Sequence, residues 1–357
     1  MPPRRRLPRP RLHWLLIAGP ASWLLALLPH RELAVFLTSA IALIPLADLI
    51  GASTEQIGLH AGPRVGGLLN ATFGNLTELI LSVLLLLNNQ VKVVKTSLTG
   101  SILGNLLLVM GLSLLAGGMY HRTQRYNAAA AGVHATSLTL AVIGLLMPAL
   151  FLLTTGAHSV IQREVVSAIV AGVLIAVYLA ALVFTRVTHE HLFRTPKSGE
   201  QATWPLRTAL LVLAGAAVFV AVESELLAHA LAPALRALGL SQFFVGLILV
   251  PIIGNAAEHS SAVRFALQDR LDVTLEVAIG SSTQIALFVA PALVFIGLAV
   301  GHPMDFVFTN FEVAAVGLST LIVTFISHDG RSNWLEGAQL LAAYLIMAAS
   351  SFFIGSL

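Results

Sequence analysis

The sequence contains no cysteine and few charged residues. The absence of cysteine excludes disulfides, thiolate metal sites and cysteine nucleophiles. Only 10% of the 357 residues are charged, whereas soluble domains carry about 25% charged residues. Hydrophobic residues make up 57% of the chain, and its mean hydropathy is +0.87. These values exclude an ordinary soluble protein and predict an integral membrane protein.

Recognisable hydrolase motifs are also absent. The chain contains neither the His-Glu-x-x-His pattern of zinc peptidases nor the Gly-x-Ser-x-Gly pattern of serine hydrolases. Since no catalytic constellation is found, we predict that the protein is not an enzyme and uses no cofactor.

Eleven apolar segments are long enough to cross a hydrocarbon layer of about 30 Å. The first is the shortest, and the arginines between Arg4 and Arg11 precede it in the manner of a signal peptide. We interpret it as a retained helix because no small-x-small cleavage site follows it. The predicted fold is an all-α membrane protein with eleven transmembrane helices. They lie near residues 13–28, 33–50, 65–88, 97–120, 128–154, 164–185, 207–230, 240–264, 273–300, 306–327 and 335–355.

Lys and Arg residues indicate how these helices are oriented. With the N-terminus in the cytoplasm, about three quarters of the 20 Lys and Arg residues fall in cytoplasmic segments, as the positive-inside rule expects. The odd number of helices then places the C-terminus outside. The polar segment from Thr185 to Pro205 becomes a cytoplasmic linker. Its His189-Glu190-His191 sequence could bind a metal ion, but two histidines are too few for a full ligand set, so a solvated linker is favoured.

The second half of the chain repeats polar landmarks of the first half at an offset of 180 residues. Because predicted helix three matches predicted helix eight, a shift of five helices, the second copy crosses the membrane in the opposite direction. Inverted repeats are typical of secondary transporters, which bind their substrate near the membrane midplane. The matched pairs are Gly74-Asn75 with Gly254-Asn255, Glu78 with Glu258, and Gly100-Ser101 with Gly280-Ser281.

A duplicated scaffold without a transport function is the alternative. It is less favoured because the matched positions include polar residues, which a scaffold in lipid would avoid. The repeat divides the chain into four predicted parts. They are a basic flank with the first helix (1–32), a first five-helix repeat (33–185), the linker (186–206) and a second five-helix repeat (207–357).

Glu78 and Glu258 lie deep inside predicted helices three and eight. An unpaired, ionised carboxylate at this depth costs at least about 3 kcal/mol, and no Lys or Arg lies within the apolar part of either helix. Each glutamate must therefore be protonated, bind a cation, or alternate between the two states. A structural role, with each glutamate protonated and hydrogen-bonded to a neighbouring helix, is the alternative, and it is less favoured for two symmetry-related residues.

The residues around both glutamates favour a cation site. Asn75 and Asn255 each precede a glutamate by three residues, so amide and carboxylate share one helix face. Gly74 and Gly254 favour helix breaks that expose backbone carbonyls. Carboxylate, amide and carbonyl oxygens are the ligands that Ca²⁺ prefers.

Predicted helices four and nine carry a second matched polar pair. The glycines and serines there are often simply packing residues, whereas Asn105 and Gln284 each bring an amide carbonyl to membrane depth and are stronger candidates. The remaining acids and His259 are weaker candidates. Glu225 is a candidate third titrating site, and Glu55 is an accessory candidate near the cytoplasmic surface. His259 could relay protons or simply hydrogen-bond a neighbour.

These motifs resemble CAX-type calcium/proton antiporters of the calcium:cation exchanger superfamily, and the bacterial members most closely. The resemblance is carried by the two Gly-Asn-x-x-Glu elements, the stretch that begins at Ser97, the stretch from Gly280 to Pro291, and Ser332-Asn-Trp-Leu-Glu-Gly337. It implies eleven helices with a ten-helix core. It also implies that Glu78 and Glu258 bind cation and protons with help from Asn75, Asn255, Ser101 and Gln284.

Two comparisons refine the resemblance. Relatives often carry an acidic run in the central linker, whereas this linker has only Glu190 and Glu200 beside basic residues and histidines. Sodium/calcium exchangers carry Thr-Ser-x-Pro before the acid in place of Gly-Asn. Proton coupling is therefore the better inference, and regulation by an acidic linker is in doubt.

The predicted function is exchange of Ca²⁺, and of other divalent cations, for protons by alternating access. A broader exchanger of Na⁺ or K⁺ for protons is the alternative, and a channel is a less favoured class. Ca²⁺ and protons are then transported substrates, the lipid bilayer is the expected partner, and no nucleic acid is involved. The expected location is the inner membrane of a bacterial cell, and the oligomeric state stays open.

Overall fold

The computed structural model describes residues 12–155, 160–193 and 201–354, and almost all of them are helical. A chain rich in apolar residues favours helices in lipid because a helix satisfies its own backbone hydrogen bonds. The arginines between Arg4 and Arg11 and the linker residues from Pro196 to Gly199 lie outside the described residues. The helices are α1 (Trp14–Ala26), α2 (Glu32–Ala61), α3 (Pro63–Phe73), α4 (Leu76–Leu87), α5 (Val91–His121), α6 (Ala128–Thr155), α7 (Val160–Thr188), α8 (Leu206–Leu238), α9 (Gln242–Gly254), α10 (Ala256–Leu267), α11 (Leu271–Val300), α12 (Asn310–Ile326) and α13 (Trp334–Phe353).

The described helices overlap the predicted apolar segments, but the segment 65–88 is divided between α3 and α4 and the segment 240–264 between α9 and α10. Among the described residues, seven helices are long and apolar enough to cross a membrane, and α9 and α10, which are bent by 63° at the break between them, reach the same length and apolar character as a pair. Three further apolar helices are shorter: α1, α4 and α12. The prediction of an all-helical membrane protein is thus confirmed.

Two helix pairs are interrupted where the sequence carries Gly-Asn. Asn75 separates α3 from α4 with φ −99° and ψ 26°, and Asn255 separates α9 from α10 with φ −104° and ψ 7°. The two helices that follow the breaks also end in the same way. Just beyond their ends, Asn89 and Asp269 both have a φ of 58°. Asn and Asp tolerate this left-handed conformation better than most residues. The local backbone therefore repeats at the same offset as the sequence motifs.

The long helices α2 and α8 pack against each other, and α1 contacts both of them. Near the C-terminal end of α2, Gln56 accepts hydrogen bonds from the backbone N–H groups of Thr203 and Trp204, at 2.8 and 3.0 Å. His60 Nε2 lies 2.8 Å from the Trp204 carbonyl. The segment that leads into α8 is thereby fixed to α2.

A short antiparallel ladder joins two interhelical loops. Strand β1 (Gln124–Arg125) precedes α6, strand β2 (Arg331–Ser332) precedes α13, and Gln124 faces Ser332. No sequence pattern predicts this pairing. After β2, Asn333 and Glu336 form a capping box at the start of α13, as the spacing of these residues predicts.

Candidate cation site between two helix breaks

Glu78 and Glu258 each lie in the first turn after a helix break. The N-terminal end of a helix favours negative charge. Glu78 is buried and Glu258 is partly buried, and the two carboxyl groups interact electrostatically. A Cβ atom on Gly254 would lie 3.9 Å from Glu78 Oε1. Glu78 from the first break therefore reaches the backbone of the second break.

A network of amides and hydroxyls surrounds the carboxylates. Asn75 Nδ2 donates to Gln284 Oε1 at 2.7 Å, and the Ser281 hydroxyl donates to Asn75 Oδ1 at 2.9 Å. Asn105 Nδ2 donates to Ser281 Oγ at 3.2 Å, and Ser281 is also a hydrogen-bond neighbour of Glu258. Ser281 on α11 thus connects the first break with residues of α5 and α10.

The second break has a related contact. Asn255 Nδ2 donates to Ser101 Oγ at 3.3 Å and to the Pro251 carbonyl at 3.0 Å. At the 180-residue offset of the repeat, Asn75 corresponds to Asn255 and Ser101 corresponds to Ser281. Each asparagine therefore contacts the matched serine of the opposite half.

Several buried oxygen atoms at the site have no hydrogen-bond donor among the described residues. They are Asn105 Oδ1, Asn255 Oδ1 and Glu258 Oε2. An unsatisfied buried polar atom costs about 1–3 kcal/mol. Oxygen atoms of this kind are suited to a hard cation such as Ca²⁺, which takes about 6–8 oxygen ligands in general. The chemistry of the surroundings therefore fits a cation.

The helix backbones near the site are irregular. Wider π-helical turns occupy Gly104–Val109, which contains Asn105, and Glu276–Gly280 and Ile285–Val289, which lie on either side of Ser281. Such turns are common at functional sites. At Gly100, a Cβ atom would overlap the backbone of Leu247, so only glycine permits the contact between α5 and α9.

The predicted residues are not all brought together. Gly74 lies beside Gln284, since a Cβ atom at Gly74 would be 3.9 Å from Gln284 Oε1. Glu55 is exposed near the C-terminal end of α2, and His259 follows Glu258 on α10 and is partly buried. Glu225 lies on α8, where it accepts a hydrogen bond from Asn88 at 3.1 Å and pairs with His229 at 2.9 Å.

One residue of the network was not assigned as a ligand from the sequence. Ser281 corresponds to Ser101 in the repeat, and this correspondence was a usable signal. Apart from the two glutamates, the described contacts at the site are made by amides and hydroxyls. Within the described residues, no group of three or more His, Asp or Glu side chains is placed to hold a metal ion. The candidate site therefore depends on two carboxylates and a set of neutral oxygens.

Known proteins resemble this chain along nearly its whole length. The profile of the family described as sodium/calcium exchanger protein matches residues 31–187 and 208–353. The Ca²⁺/H⁺ antiporter of Synechocystis sp. (strain ATCC 27184 / PCC 6803 / Kazusa) is 45% identical over 360 residues, which cover 95% of this chain and 96% of that protein. The Ca²⁺/H⁺ antiporter ChaA of Bacillus subtilis (strain 168) is 39% identical, with coverages of 96% and 99%.

Solved structures agree with these sequence relatives. The structure of native YfkE has a TM-score of 0.83 at 38% identity and covers 96% of this chain and 99% of its own. The crystal structure of the H⁺/Ca²⁺ exchanger CAX has a TM-score of 0.73 at 15% identity, with coverages of 96% and 92%. The latter similarity concerns the fold alone.

Proposed function

The chain belongs to the sodium/calcium exchanger protein family, and we propose that it is a secondary active transporter that exchanges Ca²⁺ for protons. It is a transporter rather than an enzyme, and the ions are substrates, not cofactors. The observation that carries the proposal is the meeting of Glu78 and Glu258 across two helix breaks. The names of the similar antiporters support calcium and protons as the exchanged ions.

The two carboxylates hold either one Ca²⁺ or two protons, so both loaded states are near neutral. An empty site would carry two negative charges in a medium of low dielectric constant, and its reorientation would be costly. Loaded sites therefore cross between the two access states, and empty sites do not. Each proton contributes about 1.36 kcal/mol per pH unit. Two protons and a gradient of about one pH unit would therefore sustain roughly a hundredfold calcium gradient.

Neutral oxygens complete the cation's coordination in this proposal. Asn75, Asn255, Ser101 and Gln284 contribute or orient ligands, and Asn105 and Ser281 join them. The unpartnered oxygens of Asn105, Asn255 and Glu258 support this assignment. The hydroxyls and amide N–H groups between them hold the oxygens in place.

The membrane architecture belongs to the same proposal. Eleven transmembrane helices include a ten-helix core of two inverted five-helix repeats, at 33–185 and 207–357, with the first helix in 1–32 and a linker at 186–206. The family profile matches two separate segments of the chain. The matching backbone angles at Asn75 and Asn255, and at Asn89 and Asp269, also support a duplication.

The positive-inside rule supports a cytoplasmic N-terminus and an external C-terminus. With this orientation, β1, β2 and the linker lie on the cytoplasmic side. We assign the protein to the inner membrane of a bacterial cell, in keeping with its bacterial relatives.

Exchange of Na⁺ or K⁺ for protons is the second candidate function. A pair of carboxylates balances one divalent ion with no further charge, which favours Ca²⁺. A monovalent ion would leave one negative charge on the pair unless a second ion or a proton accompanied it.

Purified protein in proteoliposomes with an acidic lumen distinguishes the two candidates. We expect external Ca²⁺ to dissipate the pH gradient and radiolabelled calcium to accumulate inside, because inward calcium is coupled to outward protons. Na⁺ and K⁺ at the same ionic strength should leave the gradient within the rate seen in protein-free vesicles. Dissipation by Na⁺ or K⁺ without calcium uptake would establish the second candidate.

A further inference from the structure

A third buried carboxylate lies outside the candidate cation site. Glu223 is near the middle of α8 and is only 1% exposed. Its two oxygens lie 2.8 and 3.1 Å from the hydroxyl of Ser22 on α1, which is itself fully buried. Ser39 of α2 and Trp23 of α1 are further neighbours of the same carboxyl group. These described neighbours of Glu223 lie on α1 and α2, and none of them belongs to either helix break.

The surfaces of α1 and α8 are matched around this contact. A Cβ atom on Gly19 would lie 3.2 Å from Glu223 Oε1, so the glycine permits the close approach. Trp23 stacks on Phe219, with ring centroids 5.6 Å apart and planes inclined by 19°. Residues 19, 22 and 23 lie on one face of α1, and residues 219 and 223 lie one turn apart on α8. The contact is therefore a continuous interface between the two helices.

If all the hydrogen bonds around Ser22 are formed, the side chain at position 223 must donate one of them. The Ser22 hydroxyl has one hydrogen atom, yet it lies 2.7 Å from the Gly19 carbonyl as well as near both Glu223 oxygens. If that hydrogen goes to Gly19, a group at position 223 with its own N–H or O–H can donate to Ser22. A glutamine at position 223 supplies such a donor at nearly the same size.

Burial makes this contact important for the fold. A carboxyl group in a membrane-spanning segment is costly without hydrogen-bond partners, and within the described part of the chain no Lys or Arg forms an ion pair with Glu223. Removing α1 would therefore remove the Ser22 hydroxyl and the Trp23 side chain from the surroundings of this group. Since α1 contacts both α2 and α8, the position of Glu223 ties the first helix to this long helix pair.

We propose that Glu223 is a positioning residue that fixes α1 on α8, so that the two helices move as one body during transport. The part of this proposal that concerns movement rests on the exchange function proposed above. Glu223 does not bind the transported ions. It acts through the packing of α1, and α1 therefore takes part in the movement that transport requires.

Cross-linking tests the docking of α1 without any transport measurement. The chain has no cysteine, so Trp23→Cys with Phe219→Cys introduces the only two thiols. A short bifunctional thiol reagent should join them efficiently when position 223 is Glu or Gln. Glu223→Leu should lower the yield at least about fivefold, because leucine has no polar atom for Ser22. An unchanged yield in Glu223→Leu would overturn the docking role.

Ser22→Ala is the milder partner variant, and it is the one to use if Glu223→Leu does not yield monodisperse protein. It removes the hydroxyl and leaves Glu223 in place. We expect its cross-linking yield to fall at least about twofold relative to the parent pair. A yield equal to that of the parent would also count against the proposal.

Transport measurements test the proposal that α1 and α8 move as one body. Glu223→Leu, without the cysteines, should lower the maximal exchange rate at least about threefold and leave the half-saturating calcium concentration within about twofold, whereas Glu223→Gln should restore the rate.

The double-cysteine protein should exchange at the same rate before and after cross-linking. Loss of exchange on cross-linking would show that α1 and α8 move apart, and it would overturn this part. Efficient cross-linking in a parent protein that does not transport calcium would instead contradict the proposed function alone.

Discussion

The two helix breaks carry the same motif but differ in how their polar atoms are satisfied. At the first break, both amide atoms of Asn75 have partners, and Glu78 is buried. At the second break, Asn255 Oδ1 and Glu258 Oε2 have no donor among the described residues, and Glu258 is partly exposed. The two breaks thus have similar backbones, while their surroundings satisfy the amide of one break and leave two oxygens without a described donor at the other.

Because of this difference, we expect the two breaks to have different roles in ion binding. We expect the first break to stay fixed during ion binding, because the amide of Asn75 is held by Gln284 and Ser281. The second break offers the oxygens that an incoming ion can bind without first breaking a hydrogen bond. Substitutions at the two breaks should therefore have different effects, except at the glutamates themselves.

The glutamates should give the largest effect, and it should be the same at both breaks. Glu78→Gln and Glu258→Gln should each abolish calcium-driven proton movement, because either change leaves one negative charge for a divalent ion. Proton movement is followed with a pH-sensitive dye in proteoliposomes, and size-exclusion profiles verify folding. If either variant retains coupled exchange, both carboxylates cannot be required.

The asparagines should separate the breaks. Asn255→Ala should raise the half-saturating calcium concentration by about tenfold, which corresponds to one lost ligand of about 1.4 kcal/mol. Calcium titrations of the exchange rate measure this change.

Asn75→Ala is the matched variant at the first break. It removes two internal hydrogen bonds, so it should lower the free energy of unfolding by about 2 kcal/mol and change calcium affinity less than Asn255→Ala does. Thermal unfolding in detergent measures the stability. A larger affinity loss in Asn75→Ala than in Asn255→Ala would reverse the comparison.

The serines should show a smaller difference in the same sense. Ser281 contacts Asn75, Asn105 and Glu258, whereas Ser101 contacts only Asn255 in the described network. Ser281→Ala should therefore reduce the exchange rate about fivefold more than Ser101→Ala, in the same assay and at saturating calcium. Equal rates would show that the additional contacts of Ser281 are not used.

Glu225 should give the smallest effect. It is paired with His229 and Asn88, and its side chain is 42% exposed. Glu225→Gln should leave the ratio of protons to calcium ions unchanged, because two carboxylates already balance the divalent ion. The ratio is measured from the calcium gradient at which exchange reverses. A drop from three protons to two would assign a third titrating role to Glu225.

Local patterns in the sequence were sufficient to predict several features. Apolar segments indicated the helices, Gly-Asn indicated the breaks, and Asn333 with Glu336 indicated a helix cap. Contacts between segments that are far apart in the sequence could not be predicted. The pairing of β1 with β2 has no sequence signal, and the repeat did not point to Glu223, because Leu43 is its counterpart at the 180-residue offset. The π-helical turns likewise depend on how neighbouring helices pack.

The small ladder between β1 and β2 has a mechanical consequence. Backbone hydrogen bonds are directional and short, so the ladder resists separation of the two loops that it joins. The Gln124 side chain also donates to the Ala266 carbonyl on α10, at 2.8 Å. A displacement of either loop therefore transmits force to the helix that carries Glu258, and the loops and that helix should shift together when the site changes its access.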